Sequence, residues 1–313
     1  MTMSYRGILP AMQCPFDQNL EIDEPELRKF AKWLLSHKGI GGLVTNGHTG
    51  EVFALTAKQR AIVTRIVADE ARGKVPVVSG LCCEGVSDAV EHALMARQAG
   101  ASALLVMPPH QWLRFGMKQP ENVVDYFTAI GRASGLDLVV HVYPAWTRAS
   151  YSFETLAELA RLPWVKSMKV GTREMNKYAR DIRVIRQANP NVTVLTCHDE
   201  YLLASMVQGV DGALVGFGSF IPKLIVDLYA AVSAGDLTSA MAIQARINPL
   251  KDVVYGGGEP TGDAHARMKM AMYLAGILKS PAVQPPTRLS SGAELKAIED
   301  ALRAAGMLKR EAA

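Results

Sequence analysis

Cysteine is scarce: Cys14, Cys82, Cys83 and Cys197 are the only four in 313 residues. They form neither a C-x-x-C pair nor a disulfide-like framework, and they read as reduced, half-buried thiols. No apolar run approaches the roughly 18 residues of a membrane span. No basic run is interleaved with aromatics and the net charge is only +4, so nucleic acid is not an expected partner. Met1 to Cys14 lacks a signal-peptide apolar region followed by a small-residue cleavage site, which makes the cytoplasm the expected compartment. A glycine-rich dinucleotide fingerprint after the first strand is also missing, and this counts against a doubly wound open sheet.

What the chain does contain is ordinary for a globular enzyme, at 49% hydrophobic and 20% charged residues. Strand-like apolar runs alternate with helical stretches from Arg6 onward. Asp23-Glu24-Pro25-Glu26 has an N-cap, an early proline and acidic residues where the helix dipole favours them. Thr56 is placed to cap the next helix. Three junctions repeat one pattern: Lys38-Gly39 before Leu43-Val44, Ala99-Gly100 before Leu104-Leu105, and Gln208-Gly209 before Leu214-Val215. Each is a helix end, a glycine suited to a left-handed cap and a small-residue entry to an apolar strand. Eight strand–helix units at steady spacing predict an α/β protein of the (β/α)8 TIM-barrel class. After Gly235 the pattern turns helical, over 236–254, 263–278 and 293–305, interrupted by Gly256-Gly257-Gly258-Glu259-Pro260 and by the Pro281–Pro286 segment. The expected division is a catalytic barrel over residues 1–235 and a C-terminal helical appendage over 236–313.

In such a barrel the site lies at the C-terminal ends of the strands. Trp164-Val165-Lys166-Ser167-Met168-Lys169-Val170-Gly171 reads as a strand with Val165, Ser167 and Lys169 on one face. An amine at the end of such a strand suits Schiff-base chemistry. Tyr143 stands about one βα unit earlier at the equivalent strand end, where a phenol can shuttle the protons that imine formation requires. Gly47-His48-Thr49-Gly50 offers backbone N–H groups and a hydroxyl to a small carboxylate. His110 follows strand four, His141 and Arg148 come with strand five, His198 and Asp199 with strand seven, and Leu214 with strand eight.

On these residues the chain resembles the dihydrodipicolinate synthase/N-acetylneuraminate lyase family of class I aldolases and dehydratases. The family's Gly-x-Thr-Gly-Glu motif appears as Gly47-His48-Thr49-Gly50-Glu51, with Gln59 at the expected distance, and its catalytic tyrosine and lysine as Tyr143 and Lys169. The resemblance covers nearly the whole chain, including the Pro285-Pro286 segment. It implies a homo-oligomer, tetramer or dimer, that binds pyruvate or a related 2-oxo acid as an imine on Lys169. It further implies Thr49 and the nearby backbone as carboxylate binders and Leu214 as a pocket wall. No cofactor and no metal are implied, because the protein's own amine is the electron sink.

The sequence departs from the family pattern at His48, which replaces a relay hydroxyl, and at Pro109-His110, which replaces an aromatic pair. Pro144-Ala145-Trp146 follows Tyr143, and Val170-Gly171 follows the lysine. Arg148 keeps the spacing of an arginine that grips a distal carboxylate. Together these point away from the standard lysine-pathway synthase, with Arg148, His110 and Trp112 expected to shape the distal pocket. The expected reaction is aldol addition or retro-aldol cleavage, with dehydration of a 2-keto-3-deoxy sugar acid by the same imine as the alternative. Two rivals come from other classes. One is a metal-dependent barrel lyase or hydrolase using His48, His110, His141 and His198 with Glu51 or Asp199. The other is a non-catalytic 2-oxo-acid sensor.

Overall fold

A computed structural model describes residues 3–117, 119–142, 150–256 and 262–311. The first half of the barrel comprises β1 (Gly7–Pro10), α1 (Glu24–Leu35), β2 (Leu43–Thr45), α2 (Ala57–Ala71), β3 (Val77–Leu81), α3 (Val86–Gln98) and β4 (Ala103–Val106). It continues through α4 (His110–Phe115), α5 (Pro120–Ser134), β5 (Asp137–Val142), α6 (Phe153–Arg161) and β6 (Val165–Val170). Next come α7 (Met175–Ala188), β7 (Thr193–Thr196), α8 (Leu202–Met206), β8 (Gly212–Val215), α9 (Phe217–Phe220) and α10 (Pro222–Ser233). The C-terminal helices are α11 (Leu237–Tyr255), α12 (Ala264–Leu274) and α13 (Gly292–Ala304).

The eight strands are all parallel and run in the order β1-β8-β7-β6-β5-β4-β3-β2. Parallel bridges Ile8↔Ile40 and Ala11↔Val44 join β1 to the β2 side and close the barrel. Strands buried on both faces must be apolar throughout, as Ala103-Leu104-Leu105-Val106 and Gly212-Ala213-Leu214-Val215 are. Leu9, Val44, Val78, Leu105, Leu195 and Leu214 fill the interior. Their neighbours in sequence, such as Ile8, Leu43, Val77, Leu104 and Val215, point outward into the helix layer.

The signals read at the helix ends have physical counterparts. Asp23 Oδ1 accepts from the Glu26 N–H at 3.0 Å. Thr56 and Gln59 form a reciprocal capping box: the Gln59 N–H donates to Thr56 Oγ1 at 3.3 Å, and the Thr56 N–H donates to Gln59 Oε1 at 2.9 Å. The repeated junction glycines Gly39, Gly100 and Gly209 take φ of +95°, +89° and +82°, the left-handed region that costs a side-chain-bearing residue energy.

Local irregularity was harder to read. Val165 does not share the inner face with Ser167 and Lys169; it belongs to the outer core. The cause is one extra residue in β6. Leu138 pairs with Val165, yet the next β5 residue, Val139, pairs with Ser167, leaving Lys166 bulged out and exposed. His110 is not a strand-end residue either, because it begins the short helix α4. The four-residue helix α9 likewise has no counterpart in the sequence reading. The C-terminal helices bury Ile247, Leu250, Val254, Met268, Leu274, Ile298 and Leu302 in the same apolar cluster as the barrel helices. No helix among the described residues is long and apolar enough to cross a membrane.

Candidate active site

Lys169 is the penultimate residue of β6, partly buried, and pairs in register with His141 of β5 and Leu195 of β7. Its strand neighbours Met168 and Val170 lie in the outer core, so the lysine points into the barrel mouth. Tyr143, the residue after β5, lies outside the described residues, as does Arg148.

The loop after β2 is a tight turn. The Gly50 N–H donates to the Gly47 carbonyl at 3.0 Å, the Glu51 N–H to His48 at 3.0 Å, and the Val52 N–H to Gly47 at 3.3 Å. A Cβ on Gly47 would meet nothing within 4 Å, whereas one on Gly80 of β3 would stand 1.9 Å from the Asn46 carbonyl oxygen. Gly80 therefore lets this turn sit directly on β3. Buried Asn46, at φ +55°, anchors it from below, its Nδ2 donating to the Arg60 carbonyl at 2.9 Å and lying within 2.9 and 3.1 Å of Thr64 Oγ1 and Ser79 Oγ. Thr49 is buried in the turn.

Glu51 ends the turn and reaches the C-terminal helices. The fully buried Lys269 of α12 donates to Glu51 Oε1, to the Cys14 carbonyl at 2.7 Å and to the Ala282 carbonyl at 2.9 Å. Its ammonium also lies 4.4 Å from the centre of the Phe16 ring. The other Glu51 oxygen accepts from the Gln284 N–H at 2.8 Å. One ion pair thus joins the β1 exit, the β2 turn and the segment that carries Pro285 and Pro286.

Above the turn is a cavity of about 520 Å³, lined among others by His48, Phe53, His110, Leu113, His265 and Pro286. Rings run outward from His141 to His48 at 5.7 Å, from His48 to Phe53 at 5.2 Å and from Phe53 to His110 at 4.9 Å. His48 opens to the cavity but is otherwise surrounded by protein, and this burial lowers its pKa to about 3, with the Lys169 ammonium adding to the effect. Burial lowers His265 to about 4, again helped by Lys169. His141 is held well below its ordinary value by burial first and Lys169 second. At neutral pH all three are uncharged imidazoles grouped on the Lys169 side of the barrel.

Of the residues expected at the site, the β2 turn, His48, His110, His141 and Lys169 do converge on the mouth. Leu214 is fully buried in the barrel interior, paired with Leu9. Trp112 does not shape the pocket: it turns away and packs edge-on against Tyr126 at 5.4 Å, leaving Leu113 on the cavity wall. His198 sits between Tyr201 and Tyr178, at 4.6 and 5.1 Å. Asp199 is a structural latch, accepting from Tyr255 Oη at 2.7 Å and from the N–H groups of Gly216 and Phe217 at 2.8 and 2.9 Å. His265 was missed, because nothing in its local sequence distinguishes it from any helical histidine.

The four histidines of the metal reading do not share a ligand shell with Glu51 or Asp199. Among the described residues the one group with ligand atoms within 4.8 Å of one another is Cys83, Asp88 and His92, which includes none of those four histidines and neither Glu51 nor Asp199. There His92 Nε2 is 3.2 Å from Asp88, and the Arg60 guanidinium is 3.3 Å from His92 Nδ1, a cation where a metal ion would need none.

Comparison with known proteins gives a consistent match. A sequence model of the dihydrodipicolinate synthetase family matches residues 4–305. A 4-hydroxy-tetrahydrodipicolinate synthase from Nitrobacter hamburgensis is 30% identical, over 97% of this chain and 98% of that one. A second from Methylobacterium radiotolerans is also 30% identical, over 97% and 96%. Among solved structures, a prophage protein of E. coli K12 assigned to the dihydrodipicolinic acid synthase family, in complex with pyruvate, superposes with a TM-score of 0.86. It is 23% identical and covers 97% of this chain and 99% of its own.

Proposed function

We propose, for a chain that belongs to the dihydrodipicolinate synthetase family and is a lyase of that family, a Schiff-base mechanism on pyruvate or a related 2-oxo acid. The observation that carries this reading is Lys169 at the mouth, beside His141, with neutral imidazoles around it. The Lys169 amine adds to the C2 carbonyl and the resulting carbinolamine loses water. The imine then draws electrons from C3, which gives up a proton to form an enamine, and the enamine attacks an aldehyde. Retro-aldol cleavage is the same path reversed, and the alternative outcome is dehydration of a 2-keto-3-deoxy sugar acid, in which the enamine at C3 expels the C4 hydroxyl as water once it is protonated.

In this reading Tyr143 shuttles the protons. The turn spends the N–H groups of Gly50, Glu51 and Val52 internally, so the substrate carboxylate takes the Thr49 hydroxyl and the Thr49 N–H, in the space left by Gly47. Neutral His48 relays a proton by accepting at one ring nitrogen and releasing from the other. Leu214 backs the pocket from inside the barrel, and Arg148 and His110 contact the distal end of the substrate. Exposed Phe53 (57%) and Phe115 (73%) flank this region and support assembly with further copies of the chain, which light scattering on a sizing column tests.

Borohydride reduction in the presence of pyruvate, followed by peptide mass spectrometry, tests the mechanism. A reduced pyruvyl adduct on Lys169 is expected, and Lys169→Ala should lose both the adduct and turnover. Absence of an adduct with pyruvate and a panel of 2-oxo acids would overturn the reading. Tyr143→Phe should lower kcat by about 10²- to 10⁴-fold while still allowing some trapping.

A further inference from the structure

A second, larger cavity of about 690 Å³ lies between α1 and α10 of the barrel and α11 with the chain's last turns. Its floor is apolar, built from Phe30, Trp33, Phe220, Ile221 and Leu250. Its rim carries Lys29, His37, Lys223, Arg246 and Lys309, and no Asp or Glu lines it among the described residues. The chain as a whole has 34 basic against 30 acidic residues, so this one-sided rim is not a sample of the average surface. Lys223 has a partner outside the lining, Asp227 at 2.7 Å, and Lys29 lies 3.7 Å from Glu26.

Two backbone features add to the polarity. α10 begins at the cavity with Pro222, and no side chain caps its first turn, so its N-terminal N–H groups face the same region as Lys223. Pro249, inside α11 and on the cavity wall, has no N–H to give the Ala245 carbonyl, so the regular helix ladder is interrupted at the cavity.

We propose that this cavity binds an organic carboxylate with an apolar body, the body on the aromatic floor and the carboxylate at the cationic rim. The volume is in the range that takes a small-molecule ligand. An apolar surface ringed by positive charge excludes neutral polar metabolites, which gain nothing from the floor, and multiply charged anions without an apolar part. Since the walls come from the barrel and from the C-terminal helices alike, such a ligand would clamp the two together.

The test is calorimetric titration of the full-length protein with octanoate, alongside octanamide, which has the same chain without the charge. Saturable binding at one site per chain is expected, weakened about tenfold or more for octanamide and for the Arg246→Glu/Lys309→Glu double variant. Ala245→Trp, which fills the space from an exposed helix position, should weaken binding similarly. Quenching of Trp33 fluorescence on binding should be lost in Trp33→Phe. Saturating pyruvate should leave the octanoate affinity unchanged. Absence of saturable binding, insensitivity to the charge reversals, or displacement by pyruvate would each overturn the proposal; the last would put octanoate in the barrel mouth instead.

Discussion

Lys269 illustrates what a single side chain can hold. A fully buried ammonium survives only with its charge matched and its donors used, and here Glu51, two carbonyls and the Phe16 ring do both. Lys269→Met leaves Glu51 without its counter-charge and should destabilise the protein by about 3–5 kcal/mol, measured by denaturant unfolding. The Lys269→Met/Glu51→Leu double variant should recover a large part of that loss, because it removes the stranded charge. If the double variant is no better than the single, the damage comes from packing instead. The Gly-x-Thr-Gly-Glu motif was readable from the chain, but the partner of its glutamate was not. Glu51 and Lys269 are 218 residues apart, and neither periodicity nor spacing links them. His265 was illegible for the same reason, since it reaches the mouth from α12.

At the scale of elements, barrel strands and helices were legible because both of their signals are local: apolar runs of strand length and glycines at left-handed caps. The β6 bulge was not, because whether Lys166 is squeezed out depends on how Leu138 and Val139 of the neighbouring strand are engaged. Short helices such as α4 were hidden too: Glu84, 26 residues earlier, accepts from the N–H groups of His110 and Gln111 and fixes that start. The β2 turn gives a paired prediction. Gly80→Ala would drive a methyl into the Asn46 carbonyl and should cost roughly 1–3 kcal/mol or more, with a lower Tm. Gly47→Ala meets nothing in the protein, so its unfolding free energy should stay within about 0.5 kcal/mol of wild type. Its KM for the 2-oxo acid should nevertheless rise several-fold. Equal loss of stability in both variants would remove the case for an open substrate face at Gly47.

Across the whole molecule, buried imidazoles make stability depend on acid. Burial lowers His48 and His198 to about 3 and His265 to about 4, and holds His141 well below its ordinary value. All four bind a proton near pH 6.5 once the chain unfolds. Between pH 6.5 and about 4 the unfolded state therefore holds up to four protons that the native state refuses, and stability falls as pH falls. Asp199 works in the opposite direction. Burial raises it to about 6, so between about 6 and 4 the native state holds a proton that the unfolded carboxylate lacks. Four imidazoles against Asp199 and Asp181, which burial also raises, leave a net loss on acidification, of at most about 1.4 kcal/mol per pH unit for each uncompensated proton. Tm should decline from pH 7 to pH 4.5, and the decline should be shallower in His198→Phe. A flat or rising Tm would contradict the balance drawn here.

The tie between Glu51 and Lys269 also sets when the protein is finished. On the ribosome the eight strands emerge well before α12, and the barrel has its interior once β8 is out. Until Lys269 and the Gln284 segment follow, however, Glu51 has no counter-charge and the turn bearing Thr49 has no outer support. The strands of a nascent chain are thus all made while its binding turn is still unset, and chains cut short after residue 235 should lack a working mouth.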